Sequence, residues 1–169
     1  RVTELAEKAA RLPEDIEWHF IGRLQSNKAR KAVQLAKVIH SVDSAALLER
    51  LDRIAGEERK RPAVLLEVNV SGEASKAGVP VAELEPFARR AAACANLDFR
   101  GFMTMAPFDA EPVKIAAIFE LLRLTRDELE AKLGRELPEL SMGMSGDYEI
   151  AARHGSTIVR VGTLIFGTR

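Results

Sequence analysis

Six short apolar runs, spaced by stretches with helical periodicity, constrain this 169-residue chain more than any other feature. The runs lie at residues 17–22, 38–42, 63–70, 99–105 and, in the last thirty residues, at about 140–144 and 157–161. Between them the pattern predicts helices over residues 2–11, 25–36, 81–95 and 113–133. Another starts from Asp43 or Ser44 as cap and runs through Ile54. Leu47, Leu48, Leu51 and Ile54 recur at helical spacing, as do Ile115, Ile118, Phe119, Leu122, Leu129 and Leu133. Pro86 falls in the early turns of its helix, where the missing N–H costs least. A last helix is expected to begin at Ser145 and Gly146, with none after the final strand. Regular alternation of strand and helix implies a parallel sheet with right-handed crossovers.

Two architectures fit that alternation, an open doubly wound sheet and a (β/α)8 barrel. The open sheet usually places a glycine-rich fingerprint after its first strand, and none is visible here. The barrel places its phosphate site after its last two strands. Here Ser145-Gly146 and Gly162-Thr163 form small-residue turns just after the last two apolar runs. Exposed backbone N–H groups at such turns suit a dianion, although a serine in that position also serves as a plain helix cap. The expectation is a single domain over residues 1–169. It would hold about the last six β/α units of a TIM barrel and be incomplete at its N-terminus, with residues 1–11 as the tail of an earlier helix.

Charge and composition exclude several function classes. Lys plus Arg equals Asp plus Glu at 25 each, which argues against a general nucleic-acid or acidic-membrane binder. The single Cys94 excludes an internal disulfide and a cysteine-based metal cluster, and suits a cytoplasmic protein. His40 and His154 have no ligand spacing, so no metal site is expected. No apolar run reaches the length of a membrane span.

Strand alternation sorts candidate residues by face. Glu67, Asn69 and Ser71 share one face of the third run, which in a barrel points to the top, where chemistry sits. His19 alternates with Trp18 and Phe20 and reads either as a satisfied core histidine or as a ligand contact. Arg160 shares a face with Ile158 and Gly162. Met103, Met105, Met142 and Met144 read most simply as core fillers.

Seven segments in order then carry a resemblance: residues 18–28, 40–43, 67–70, 75–78, 100–103, 140–147 and 159–167. Together they closely resemble the pyridoxal phosphate homeostasis proteins, whose fold is a barrel like the N-terminal barrel of alanine racemase. The resemblance implies binding of pyridoxal 5'-phosphate (PLP) by a cytoplasmic, monomeric carrier that buffers the cofactor, delivers it to PLP-dependent apoenzymes and has no reaction of its own. By motif, Ser145, Gly162 and Thr163 would hold the phosphate and Arg160 would face the pyridine nitrogen. Asn69, Met103, Met142 and His19 would line the pocket, and Lys76 would be either a surface lysine or a handle for anionic PLP. An arginine only donates, so opposite the ring nitrogen it leaves the cofactor a poor electron sink, which suits a carrier or a racemase. The family's covalent lysine belongs to a Ser-Lys stretch on the first barrel strand. No such stretch lies upstream of Trp18, and Lys8 sits on a polar helix. The alternative is a PLP-dependent racemase or decarboxylase of the same fold. Such racemases take a tyrosine from a separate β-domain, whereas the sole tyrosine here is Tyr148.

Overall fold

A computed structural model describes residues 1–73 and 76–167. Ser75, in the fourth of the seven segments, lies outside the described residues. The strands are β1 (His19–Phe20), β2 (Val38–Val42), β3 (Ala63–Asn69), β4 (Val79–Pro80), β5 (Asp98–Met103), β6 (Glu139–Met144) and β7 (Ile158–Arg160). The helices are α1 (Val2–Ala9), α2 (Ala29–Leu35), α3 (Ala45–Glu57), α4 (Leu84–Ala93), α5 (Pro112–Leu133), α6 (Tyr148–Arg153) and α7 (Thr163–Phe166).

Every strand pair is parallel, in the order β1-β2-β3-β5-β6-β7. That order decides between the two architectures. A doubly wound sheet reverses direction at a switch point, whereas this one advances one way from the first strand to the last. Consecutive helices also neighbour one another, α1 with α2 and so on to α6, as in the outer ring of a barrel. The sheet is therefore a curled, open portion of a TIM-type β/α barrel, with β1 and β7 at its two edges.

Alternation along β3 sets the two faces. Val64, Leu66 and Val68 join the large core between sheet and helices, while Ala63, Leu65 and Glu67 point to the opposite, interior face. The outer core is filled from the helix stripes, including Leu48, Leu51, Ile54, Leu84, Phe87, Phe119 and Leu122. Ser44 caps α3 by accepting from the Leu47 N–H at 3.4 Å. Gly134 ends α5 in a left-handed conformation.

The structure departs from the sequence reading in four places. The first run shortens to two paired residues because β1 is an edge strand supported only by β2. The two-residue β4 pairs with the end of β3, in a segment too short to show periodicity. The expected helix start at Ser145 is a turn instead, and α6 begins at Tyr148. There Asp147 Oδ1 accepts from the Met144 N–H at 2.6 Å and closes the turn. Finally, the last strand is followed by a helix after all, the single turn α7.

Gly101 is a point of tight contact between neighbouring strands. Its φ is +147°, and a Cβ there would stand 2.0 Å from the Glu139 carbonyl oxygen. Left-handed strain and overpacking should make Gly101→Ala cost about 3 kcal/mol. Urea unfolding of the variant beside the wild type checks this; a loss below about 1 kcal/mol would mean that β5 and β6 can part without cost.

Candidate functional site

Parallel strands bring all their C-terminal ends to one rim; five of them send polar side chains, and a sixth a backbone carbonyl, into one connected belt. From β7, the Arg160 Nη1–H donates to Ser141 Oγ of β6 at 2.6 Å, and the Nη2–H donates to the Thr104 carbonyl at 2.9 Å. Thr104 follows β5, and its hydroxyl donates to the Val68 carbonyl of β3 at 2.8 Å. Ser141 Oγ also lies 2.8 Å from His40 Nδ1 on β2, and His40 Nε2 lies 3.0 Å from His19 Nδ1 on β1. His40, Ser141, Thr104 and Arg160 are all buried, with Arg160 only 9% exposed.

Arg160 is an unusual buried cation. Among the described residues no carboxylate comes within ion-pair distance of it, and burial lowers its pKa against the pull of Asp147 and Glu67. A guanidinium stays charged even so. Two of its five N–H groups are used in the bonds above, which leaves donors for a ligand on the interior face. His40 responds oppositely to its surroundings. Burial first, then His19 and Arg160, push its pKa down to about 3, so it is neutral at physiological pH.

Beside the belt, the two small-residue turns meet. The Gly162 N–H donates to Ser145 Oγ at 3.1 Å. Thr163 then opens α7, whose first N–H groups have no carbonyl four residues back within the helix. A Cβ at Gly146 or Gly162 would meet nothing within 4 Å, so the backbone here is open to approach.

The sequence-predicted residues separate by position. Ser145, Gly162, Thr163 and Arg160 gather at the ends of β6 and β7. Met103 is buried outside the helix-side core, in register with both Glu67 and Ser141. His19 is exposed and reaches the group through His40. Met142 does not: alternation turns it away from Ser141 into the core between sheet and helices, where it is fully buried. Asn69 spends its side chain on the loop after β3. Its Nδ2 donates to the Glu73 carbonyl at 2.8 Å, and its Oδ1 accepts from the Gly72 N–H at 3.0 Å. Lys76 Nζ ties that loop to the Ala106 carbonyl at 3.2 Å. Met105 and Met144 are partly exposed rather than core fillers. Sequence reasoning missed His40, Ser141 and Thr104; the one available signal was polar residues inside otherwise apolar strands.

Glu67 completes the interior. It is only 5% exposed and has no hydrogen-bond partner among the described residues. Burial first, then Asp43, raise its pKa to about 7. Asp43 and Arg23, which act on it, line a cavity of ≈ 920 Å³ between α1 and the loops after β1 and β2. That cavity contains none of the predicted site residues and adjoins the site at the open side of the sheet.

The one-way parallel sheet belongs to the alanine-racemase class of barrel: residues 2–169 match the family described as alanine racemase, N-terminal domain. Alanine racemase of Clostridium difficile 630 shares that fold, with a TM-score of 0.78 at 14% identity over the whole of this chain and 44% of the racemase. Within the class, the chain belongs to the pyridoxal phosphate homeostasis protein family. It is 41% identical to the family member of Aquifex aeolicus, over all of this chain and 75% of the relative. It is 42% identical to that of Synechocystis, over 92% of this chain and 72% of the relative. The structure of PipY from Synechococcus elongatus, solved with PLP bound, has a TM-score of 0.90 at 42% identity, covering 99% of this chain and 79% of PipY.

Glu67 gives the site a pH signature. Its folded pKa lies above the ordinary 4.5, so the folded state holds the proton more tightly than the unfolded chain does. Glu67 is therefore tolerated best below about pH 4.5, and stability falls as pH rises from there to about 7. His40, with its lowered pKa, acts in the opposite sense, its contribution being lost as pH falls from 6.5 toward 3. A variant is needed to separate the two. Glu67→Gln should stabilise the protein at pH 8 by on the order of 2 kcal/mol and leave stability at pH 4 nearly unchanged. Equal effects at both pH values would show that Glu67 ionises normally.

Proposed function

We propose that this chain is the PLP-binding barrel of a pyridoxal phosphate homeostasis protein, a monomeric cytoplasmic carrier that buffers PLP and passes it to PLP-dependent apoenzymes without catalysing a reaction. The observation that carries the reading is the junction of the two turns: Ser145 and Gly162 in contact at 3.1 Å, beside a buried arginine with spare donors.

The residues present fit the cofactor at both ends. Ser145 Oγ and the amides of Gly162 and Thr163 would hold the phosphate, the Gly162 N–H turning to it from Ser145 Oγ, in a turn with no Cβ in the way. Arg160 would meet the pyridine nitrogen with an N–H. Met103 would lie along the ring's side of the interior, and His19 would stand at the rim behind His40. Met142 supports the site from the core, and Asn69 shapes the loop after β3. PLP supplies electron-sink chemistry when its ring nitrogen is protonated. Arg160 cannot accept a proton and repels a protonated ring, so in the site it would keep the ring a poor electron sink, which suits a carrier or a racemase better than an aminotransferase. Glu67 is the one buried carboxyl among the described residues, and on its raised pKa it can carry a proton near neutrality.

Tyr148 lies on α6, with its hydroxyl 3.4 Å from Glu149 Oε1, and takes no part in the belt.

PLP titration followed by near-visible absorbance tests both parts. Full-length protein should bind PLP, and Ser145→Asp, which sets a like charge against the phosphate, should weaken binding at least tenfold. Arg160→Glu should shift the absorbance of the bound cofactor by letting the ring nitrogen keep a proton. Unchanged affinity and spectrum in these variants would remove the two residues from the site. Alanine racemisation at ordinary enzyme rates would overturn the carrier reading.

A further inference from the structure

Arg160 dictates where every proton in the belt sits. The guanidinium has no acceptor, so its bond to Ser141 Oγ at 2.6 Å occupies a lone pair of the serine. Ser141 is fully buried and still has a hydroxyl proton to place. His40 Nδ1, at 2.8 Å, is the acceptor in reach. His40 can accept there only as a neutral ring with its own proton on Nε2. That proton points at His19 Nδ1, 3.0 Å away, and leaves the second nitrogen of the exposed His19 to meet water. Each bond from Arg160 outward thus has one direction. A charged His40 would reverse the bond to Ser141 and set a second cation near the arginine.

We propose that His40 is a positioning residue for Arg160: as the Nε2–H tautomer it takes the Ser141 hydroxyl proton and so fixes the oxygen that orients the guanidinium. The proposal rests on the reading of Arg160 as the group that meets the PLP ring nitrogen. It gives a definite role to a buried histidine that lies apart from the phosphate turns. The belt that enforces this order is spread over the sheet, since His19, His40, Ser141, Thr104 and Arg160 each come from a different strand or its end. Ser141 and the Thr104 carbonyl hold the two terminal nitrogens of one planar group, so turning the serine proton toward Arg160 would cost one of the two acceptors that set its plane.

The test begins with the unloaded protein. Histidine ring ¹⁵N NMR should show His40 protonated on Nε2 and bare on Nδ1, unchanged from about pH 5 to about pH 8. A proton on Nδ1, or a charged ring in that range, overturns the proposal. Variants then test the positioning role through PLP affinity. His40→Leu should weaken binding about tenfold, the worth of one hydrogen bond. His40→Asn should restore most of it, because its Oδ1 can stand where Nδ1 stood. Ser141→Ala should match His40→Leu, and the double variant should be no worse than either single one. Additive losses, or Asn no better than Leu, would show that His40 only fills space. If His40→Leu does not fold, the wild-type tautomer and Ser141→Ala decide, and an unchanged PLP affinity in Ser141→Ala overturns the proposal. Wild-type protein that fails to bind PLP would instead sink the PLP reading, while the tautomer measurement still judges the order of the belt.

Discussion

A single transverse belt of hydrogen bonds holds the interior of this sheet together, and Arg160 is its centre. Parallel strands bond to their neighbours along their length but leave the interior face to side chains. Here that face carries a buried cation with no ion-pair partner among the described residues. Burying such a charge is costly unless its N–H groups are met. The Thr104 carbonyl and Ser141 Oγ meet two of them. Thr104 in turn is anchored on the Val68 carbonyl, and Ser141 on His40. Removing one member leaves the next with an unmet donor or acceptor, so the belt acts as a unit.

The belt also explains how binding geometry arises without rigid loops of any length. The two small-residue turns follow directly on the two strands that contribute Ser141 and Arg160. Ser145 lies four residues beyond Ser141, and Gly162 two beyond Arg160. Fixing the arginine and the serine in the interior thereby fixes the distance from Arg160 to the turns. The contact between Gly162 and Ser145 closes the triangle. A carrier needs this arrangement to recognise its cargo and has no use for a strong proton donor and acceptor pair. Among the described residues the interior holds one buried carboxyl, Glu67, and a neutral His40.

Much of the scaffold is legible from spacing alone. α3, with its Ser44 cap and stripe of leucines, and α5, with its apolar period, are local patterns, and the structure has both within a few residues. The barrel, rather than the open sheet, follows from where the small-residue turns fall. What sequence cannot show are relations between distant residues. Thr104 meets Arg160 across 56 positions and His40 meets Ser141 across 101, and no periodicity encodes such pairs. His40 looks idle in the sequence because it lacks ligand spacing, yet it lies against the serine that holds the arginine. The motif assigns Met142 to the pocket, but strand alternation turns its side chain outward. β4 and α7 escape a reading by period because two and four residues are too few to carry one.

Arg160 and the paired turns should receive opposite ends of one ligand, and a crystal structure of the protein with PLP bound tests this most directly. The phosphate should lie within hydrogen-bond distance of Ser145 Oγ and the amides of Gly162 and Thr163, with the pyridine nitrogen facing an Arg160 N–H. A phosphate bound elsewhere, or a ring nitrogen paired with Glu67 instead of Arg160, would contradict it.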